Sequence, residues 1–433
     1  MKVGDLISVV VPVYNGETFL RENIECILNQ TYHNLEIIYI CDKCTDHTVP
    51  ILQEYAAKDS RLIIRNEKER HGADVSRNIG KEMANGEWII FLDSDDLFEL
   101  DMLEVLHKRA VEEDADMGCC FWESFSDKPR KITEVVPNQW LKLYCETYPV
   151  IDVQKVKKYI LQLVFNAPWM KLIHKSIYKK EDVYFQAIPN CDDLYFSYIA
   201  AMESKKIVYV DRKLVHYRVA QGRDTISTNQ EDGIKENYLW EAFDKTYQYI
   251  CDREDSGELK KSFYHRLCYA IYGRVGYGVY EKLFHCLRDV YFDKWGMWDI
   301  DIQKELSYFN REVYKKLRKG ELDMCIDTMT VQAKIKCVQD LLSKGCCSVW
   351  GCGYQGHRLL ESIGQFGVKI KDIYDSDPNK WGTVLMGKTI KEYEGEWSDF
   401  IVITCSQYYE EIREQIGSRA GRVIDLEKEI FMY

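Results

Sequence analysis

The stretch FLDSDDLF at 91–98 sets Asp93, Asp95 and Asp96 directly after the apolar run GEWIIFL. Carboxylates this close repel and raise one another's pKa, so the cluster is costly unless a cation joins it. A divalent ion removes that cost. Magnesium and manganese take oxygen ligands, commonly one or two protein carboxylates with phosphate oxygens filling other positions. The same residues also suit a strand end that runs into a helix, with Ser94 or Asp95 as the N-cap and acids near the positive end of the helix dipole. On residue types alone both readings stay open. Cys41 and Cys44 in CDKC have metal-ligand spacing, but the chain contains no second CxxC. A structural zinc site needs such a second pair, so none is expected here.

The elements that must position these residues follow from periodicity. ISVVVPVY reads as a buried strand, and ETFLRENIECILNQ carries apolar residues at helical spacing. LEIIYIC, RLIIRN and EWIIFL read as further strands, separated by the helical stretches TDHTVPILQEYAAKD and ADVSRNIGKEMANG. Strand-helix alternation with short connections specifies a mostly parallel sheet with helices on both faces. Ligands of such sheets bind beyond the carboxyl ends of the strands. The polar tips PVYNGE, CDKCTD and DSDD all fall at those ends, so one crevice can gather Asp42, Asp93, Asp95 and Asp96.

At 433 residues the chain is long enough for two or three domains with sizeable cores. Its 30 Tyr, 10 Trp and 30% charged residues mark a folded globular protein rather than a disordered one. The net charge of −12, with no basic stripe, argues against nucleic acid as a partner. No apolar run reaches the roughly 18 to 20 residues that cross a bilayer, and MKVGDLISVVVPVY lacks a cleavage pattern, so a cytoplasmic location is expected. The 16 cysteines fit a reducing compartment, as small hydrophobes in segments such as MGCCF and GCCSVW.

Four ordered motifs, SVVVPVYN at 8–15, EIIYICDKCTD at 36–46, SRNIG at 76–80 and GEWIIFLDSDD at 86–96, resemble family 2 glycosyltransferases of the GT-A fold. The resemblance implies a nucleotide-sugar donor, a divalent metal (Mg or Mn) and inversion at the anomeric carbon. It places Pro12, Tyr14, Asn15, Asp42, Arg77, Asp93, Ser94 and Arg218 in the donor site. It further implies that Asp93 lies near the ribose and shares the metal with Asp95, that Asp96 supports the same shell, and that Asp42 meets the base. The family usually reads DDGS where this chain has Cys41-Asp42-Lys43-Cys44, so the loop beside the base is altered and its cysteines read as ordinary thiols; a uracil-containing donor is the default. APWMKL at 167–172 resembles the WxKLY-type segment, and NCDDLYF at 190–196 the acidic segment that opens a helix in the acceptor half. By that match Asp193 is the general base an inverting transfer needs, with Asp192 as neighbour and fallback; the plain alternative is an acidic first helical turn. KIVYV at 206–210 and LVHYR at 214–218 read as two short strands, and the HYR region of related enzymes folds over the donor phosphates, where His216 and Arg218 would bring positive charge.

Residues 1–229 are thus expected to form a GT-A domain, 230–342 a helical connector, and 343–433 a small Rossmann-like domain. Aromatic stripes in the connector read as bundle core, with WGMWDI at 295–300 as the candidate for peripheral contact with the inner membrane face. In the tail, Gly351, Gly353 and Gly356 fit GxGxxG between strand and helix, and Trp350, Ile373, Ile401 and Ile403 are expected to center a small parallel sheet. The leading reading is a metal-assisted transfer of a sugar, UDP-linked by default, to an acceptor hydroxyl on a saccharide or carrier-linked glycan of the cell surface; self-association stays open. A nucleotidyltransferase would want a loop rich in glycine and basic residues after the first strand to hold a triphosphate, which PVYNGETF lacks. A non-catalytic nucleotide-binding scaffold has only the altered CDKC loop in its favor.

Overall fold

The computed structural model describes residues 4–127, 130–133, 145, 149–219, 235–275, 291–297, 300–301, 314, 347–351, 370–385, 388–395, 398–403, 409–417 and 420–425. The chain divides into two compact units, one of residues 1–138, 148–260 and 283–295, the other of 139–147, 261–282 and 296–433.

The first unit is built on a ten-stranded sheet. Its strands are β1 (Ile7–Val13), β2 (Leu35–Asp42), β3 (Leu62–Glu67), β4 (Trp88–Phe91), β5 (Leu97–Phe98), β6 (Met117–Asp127), β7 (Arg130–Thr133), β8 (Val150–Asp152), β9 (Lys171–His174) and β10 (Lys206–Arg218). The order is β3-β2-β1-β4-β9-β6-β10-β5, with β7 on β6 and β8 on β10. The first four strands are mutually parallel, as the alternation requires. Beyond β4 the sheet becomes mixed, since β9 runs antiparallel to both β4 and β6. The two short strands expected at 206–210 and 214–218 are one continuous strand, β10, whose register against β6 shifts twice around Lys213. The exposed charged run Asp211-Arg212-Lys213 reads as a turn by composition, yet a bulge absorbs it without breaking the strand.

Helices α1 (Leu20–Leu28), α2 (Thr48–Ala56), α3 (Ala73–Met83) and α4 (Met102–Glu112) follow β1, β2, β3 and β5. The short helices α5 (Val153–Val156) and α6 (Lys175–Tyr178) precede α7 (Asp192–Glu203). Every residue of β1 is buried, as a strand covered on both faces must be. Gly80 explains the glycine of SRNIG: a Cβ there would stand 2.2 Å from Cγ1 of Val10, so only hydrogen lets α3 lie this close to β1. At the amino ends of the strands Ser8 donates to Glu36, whose carboxylate also accepts the Asn85 amide N–H at 2.6 Å, while Gly86 N–H donates to Ser8 Oγ at 2.8 Å. That buried network fixes the α3–β4 turn at the end opposite the crevice, with each polar group matched.

α8 (Lys235–Cys251) packs on α7, where Glu203 accepts from Tyr249 at 2.6 Å and pairs with Arg253 and Lys180. α9 (Ser256–Val275) follows. In WGMWDI both Trp295 and Met297 are fully buried, and Trp295 Nε1 donates to Asp244 at 2.9 Å. These two side chains therefore belong to cores and do not face a membrane; Trp298 and Asp299 lie outside the described residues. No described helix is long and apolar enough to cross a membrane.

The second unit contains a six-stranded sheet of β11 (Cys347–Trp350), β12 (Ile370–Tyr374), β13 (Val384–Leu385), β14 (Lys388–Lys391), β15 (Ser398–Ile403) and β16 (Ala420–Asp425), with α10 (Tyr409–Ile416) on it. The order is β13-β14-β12-β11-β15-β16, parallel throughout except for the β13–β14 hairpin. One core cluster joins Trp350, Tyr374, Ile401, Ile403, Ile412 and Ile416. Tyr374 takes the place expected for Ile373: Trp350 pairs with Tyr374 and Val349 with Ile373, so the period of two sends Ile373 to the other face. Gly351 has φ +100° and its N–H reaches Tyr374 O at 2.9 Å, whereas Gly353 and Gly356 lie outside the described residues. The acid following the glycines, Asp375, is tied to Lys380 at 3.0 Å.

Candidate active site

The carboxyl ends of β1, β2 and β4 open onto the acid loop 93–96, and each of its carboxylates has a different environment. Asp93 Oδ1 accepts from Arg77 at 2.8 Å, and its carbonyl accepts from Asn23 Nδ2 at 2.9 Å. Ser94 and Asp95 are half-buried in the same loop. Asp96 is fully buried: Oδ1 accepts the Arg218 amide N–H at 2.7 Å, and Oδ2 has no hydrogen-bond partner. Burial first, then the charges of Asp95 and Asp93, push the Asp96 carboxyl well above the usual range. Asp96 therefore turns inward to seat the end of β10 and does not extend the cluster expected to face a cation.

Arg218 also lies behind this loop. Its Nε donates to Asp95 O at 2.6 Å, Nη2 pairs with Glu22 at 2.9 Å, and the guanidinium stands 4.2 Å from the Phe19 ring center and 4.7 Å from that of Phe125. With a side chain 1% exposed, Arg218 braces the loop from inside instead of presenting charge to the crevice. His216 sits between Glu99 at 2.9 Å and Glu123 at 3.0 Å, so it is a histidine satisfied by its neighbors. In both cases local carboxylates, and for Arg218 two aromatic faces, decide where the side chain goes, which HYR as a string does not show.

At the carboxyl end of β2, Asp42 accepts the backbone N–H groups of His71 at 2.7 Å and Gly72 at 2.9 Å. Gly72, at φ +101°, is the residue that turns this strand-helix connection, and the carboxylate holds the turn in place. Asn15, at φ 48°, accepts the Thr45 N–H at 2.8 Å and thereby ties the β1 tip to the loop after Cys44. Pro12 lies within buried β1 opposite Ile40. Tyr14 is 43% exposed, and the Arg70 guanidinium lies over its ring at 3.9 Å.

Asp192 and Asp193 reach the same place through Arg77. This buried side chain on α3 bonds Asp93 with Nη2 and Asp192 with Nη1, at 2.8 and 2.9 Å. Asp192 and Asp193 open α7 after Cys191, which takes φ 64°. Asp193 is half-buried and accepts from Asn166 Nδ2 at 3.3 Å. Burial, and next the charge of Asp192, push its carboxyl up to about 7, against the opposing pull of Arg77. Lys171, wholly buried with its ammonium on Ala167 O, is lowered to about 8 by desolvation. A carboxyl poised near neutrality, oriented by an amide and set beside an arginine that also holds the acid loop, can take a proton at pH 7.

Asn23, Asn166 and Lys171 complete the site and were not singled out by residue type. Asn23 donates to the carbonyls of both Asp93 and Asp96 and accepts from the Tyr39 hydroxyl at 2.8 Å. A polar residue on the buried stripe of α1 is the one local signal that marks it.

This fold and site belong to one class. The family model for Glycosyl transferase family 2 matches residues 8–181. GlyG, a glycosyltransferase of Streptococcus pneumoniae serotype 4, is 30% identical over 221 residues, covering 51% of this chain and 73% of its own. GlyA of the same organism is 30% identical over 227 residues, but the chain spans only 32% of GlyA's length. Among solved structures, S. aureus TarS 1–349 in complex with UDP-GlcNAc superposes with a TM-score of 0.51 at 16% identity, over 90% of this chain and 98% of that one. The chain belongs to glycosyltransferase family 2.

Proposed function

We propose that this chain is an inverting glycosyltransferase that moves a sugar from a UDP-linked donor to a hydroxyl of a saccharide or carrier-linked glycan in cell-surface glycan biosynthesis. The observation that carries the reading is Asp193: a half-buried carboxyl raised to about 7 and linked through Asp192 and Arg77 to the acid loop. Family membership and the UDP-GlcNAc named for TarS support the donor class.

The residues fit a hard divalent cation that the donor's phosphates complete. Asp95 and Asp93 offer oxygen only, and the described residues hold no cluster of three or more ligating side chains. Magnesium or manganese held there would neutralize the diphosphate leaving group. The chain's own residues do the rest. Arg77 spends its charge on Asp93 and Asp192, which lets two acids share one wall. Asp42 and Asn15 hold the loops on the base side, where Tyr14 offers an exposed ring. Asp193 takes the proton of the acceptor hydroxyl as that oxygen attacks the anomeric carbon, and Asn166 keeps the carboxylate turned toward it.

The deciding experiment incubates the full chain with a panel of nucleotide-sugars and divalent ions and follows release of nucleoside diphosphate. Release from a UDP-sugar, lost in Asp193→Asn while UDP still binds, is the expected result. Turnover that survives in Asp193→Asn removes the base from this residue, and no release from any donor removes the reading.

A further inference from the structure

We propose that Cys41 and Cys44 form a dithiol that is reversibly oxidized to a disulfide, a modification site on the loop that carries Asp42. The two residues converge on one point of β1. Cys41, fully buried at the end of β2, pairs in register with Val13, and Cys44 Sγ donates to the Val13 carbonyl at 3.4 Å. Between them Lys43 takes φ 57° and its N–H reaches Cys41 O at 3.1 Å, so the chain folds back on itself within one turn. Both thiols thus lie beside the same residue of β1.

That pairing separates their chemistry. The Cys41 thiol lowers Cys44 to about 7, and Cys44 in turn raises Cys41, with burial adding to the rise. Buried Cys119 and Cys268 are instead pushed up to about 12. Cys44 is partly exposed, so its thiolate is the nucleophile and Cys41 the resolving thiol. With a small-molecule disulfide such as oxidized glutathione as the oxidant, the Cys44 thiolate attacks one sulfur. The glutathione S–S bond breaks, one glutathione leaves and takes up a proton, and a mixed disulfide remains. Cys41 then gives up its proton and attacks Cys44 Sγ. The bond between the two cysteines forms, the mixed disulfide breaks, and the second glutathione leaves as a thiol. The protein loses two electrons and two protons, and one disulfide becomes two thiols.

The consequence falls on the donor site, and this part rests on the nucleotide-sugar reading. A disulfide draws the sulfurs to about 2.05 Å, closer than any hydrogen bond between thiols. Closure pulls on Asp42, whose carboxylate holds the amides of His71 and Gly72, and on Thr45, whose N–H is held by Asn15. Oxidation should therefore weaken UDP binding about tenfold, the worth of one good hydrogen bond.

The test uses the full chain equilibrated across reduced-to-oxidized glutathione ratios, trapped with N-ethylmaleimide, denatured and digested with trypsin. Cleavage after Lys43 separates the two cysteines, so the disulfide appears as two linked peptides, one ending at Lys43 and one beginning at Cys44, and fragmentation of the first assigns the link to Cys41 and not to Cys26 in the same peptide. The linked pair should rise and fall reversibly with the ratio. Both cysteines alkylated across the whole range, or linked only after denaturation, would overturn the site. UDP affinity is measured in parallel, comparing each of wild type, Cys41→Ser and Cys44→Ser with itself between the two extremes. A redox-dependent shift in wild type alone supports the coupling, and an unchanged wild-type affinity in the linked form overturns it. If UDP binds neither form, the donor reading has failed, while the peptide linkage still decides the dithiol.

Discussion

Arg77 stands 2.9 Å from Asp192, a residue 115 positions away in sequence, while the same guanidinium holds Asp93 of the acid loop at 2.8 Å. One buried cation therefore compensates an acid from each half of the site. Desolvation alone would lower its pKa, and the charges of Asp93 and Asp192 more than reverse that.

Removing that cation should be costly. Arg77→Ala leaves two carboxylates without compensation, and loss of one partner from a buried pair costs on the order of 3–5 kcal/mol. Thermal unfolding should register a drop of several degrees. Arg77→Lys should recover only part of it, because a point charge cannot bond both acids as the planar fork does. Equal melting of the Lys variant and wild type would contradict the bidentate role.

Asp193 should set the acid limb of the pH profile. With its carboxyl near 7, kcat/KM should rise about tenfold per pH unit below that value and level off above it. Asp193→Asn should abolish the limb and slow transfer by roughly two to four decades, with UDP affinity retained. Stability should move the opposite way. A carboxyl whose folded-state pKa is raised binds its proton more tightly folded than unfolded. Its stabilizing contribution is thus greatest below the unfolded value and is lost as pH rises through about 7. Asp193→Asn should accordingly melt at or above wild type at pH 8 while staying inactive; a lower melting point there would mean that the ionized group is favorably held.

Asp95 and Asp96 are neighbors with opposite expectations. Asp95→Asn should weaken donor binding in the presence of a divalent ion, because a neutral amide cannot balance that charge. Burial already disfavors the ionized form of Asp96, and Asn can still accept the Arg218 N–H through its carbonyl. Asp96→Asn should therefore keep most donor affinity and change stability by no more than about 1 kcal/mol. Isothermal titration with UDP and Mn or Mg, with and without chelator, separates the two. Equal losses in both variants would place Asp96 at the cation.

Asn23→Ala tests the loop's support from α1. It removes the bonds to the carbonyls of Asp93 and Asp96 and leaves the buried Tyr39 hydroxyl without its acceptor. A stranded buried polar group costs about 1–3 kcal/mol, so the midpoint of urea unfolding should fall with its slope unchanged. Asn23→Asp, which keeps the acceptor for Tyr39 but loses the donor, should harm donor binding more than Asn23→Ala relative to its effect on stability. The converse order would show that the residue only fills space.

Local pattern carried much of this protein. Strand-helix alternation from Ile7 to Phe91, full burial of β1, the acids at the end of β4 and the parallel strands of the second unit are all legible, since periods of 2 and 3.6 are properties of neighboring residues. What each acid does is a different matter. DSDD contains three aspartates of equal intrinsic acidity. The tertiary structure alone ties Asp93 to Arg77, turns Asp96 inward onto the end of β10, and withdraws Arg218 beneath the loop. Likewise Asp193 is an ordinary acid in the string CDDLYF and a near-neutral one once α7 is buried beside Asp192 and Asn166. Charge state depends on desolvation and on partners tens to hundreds of residues away, and only the folded chain brings those together.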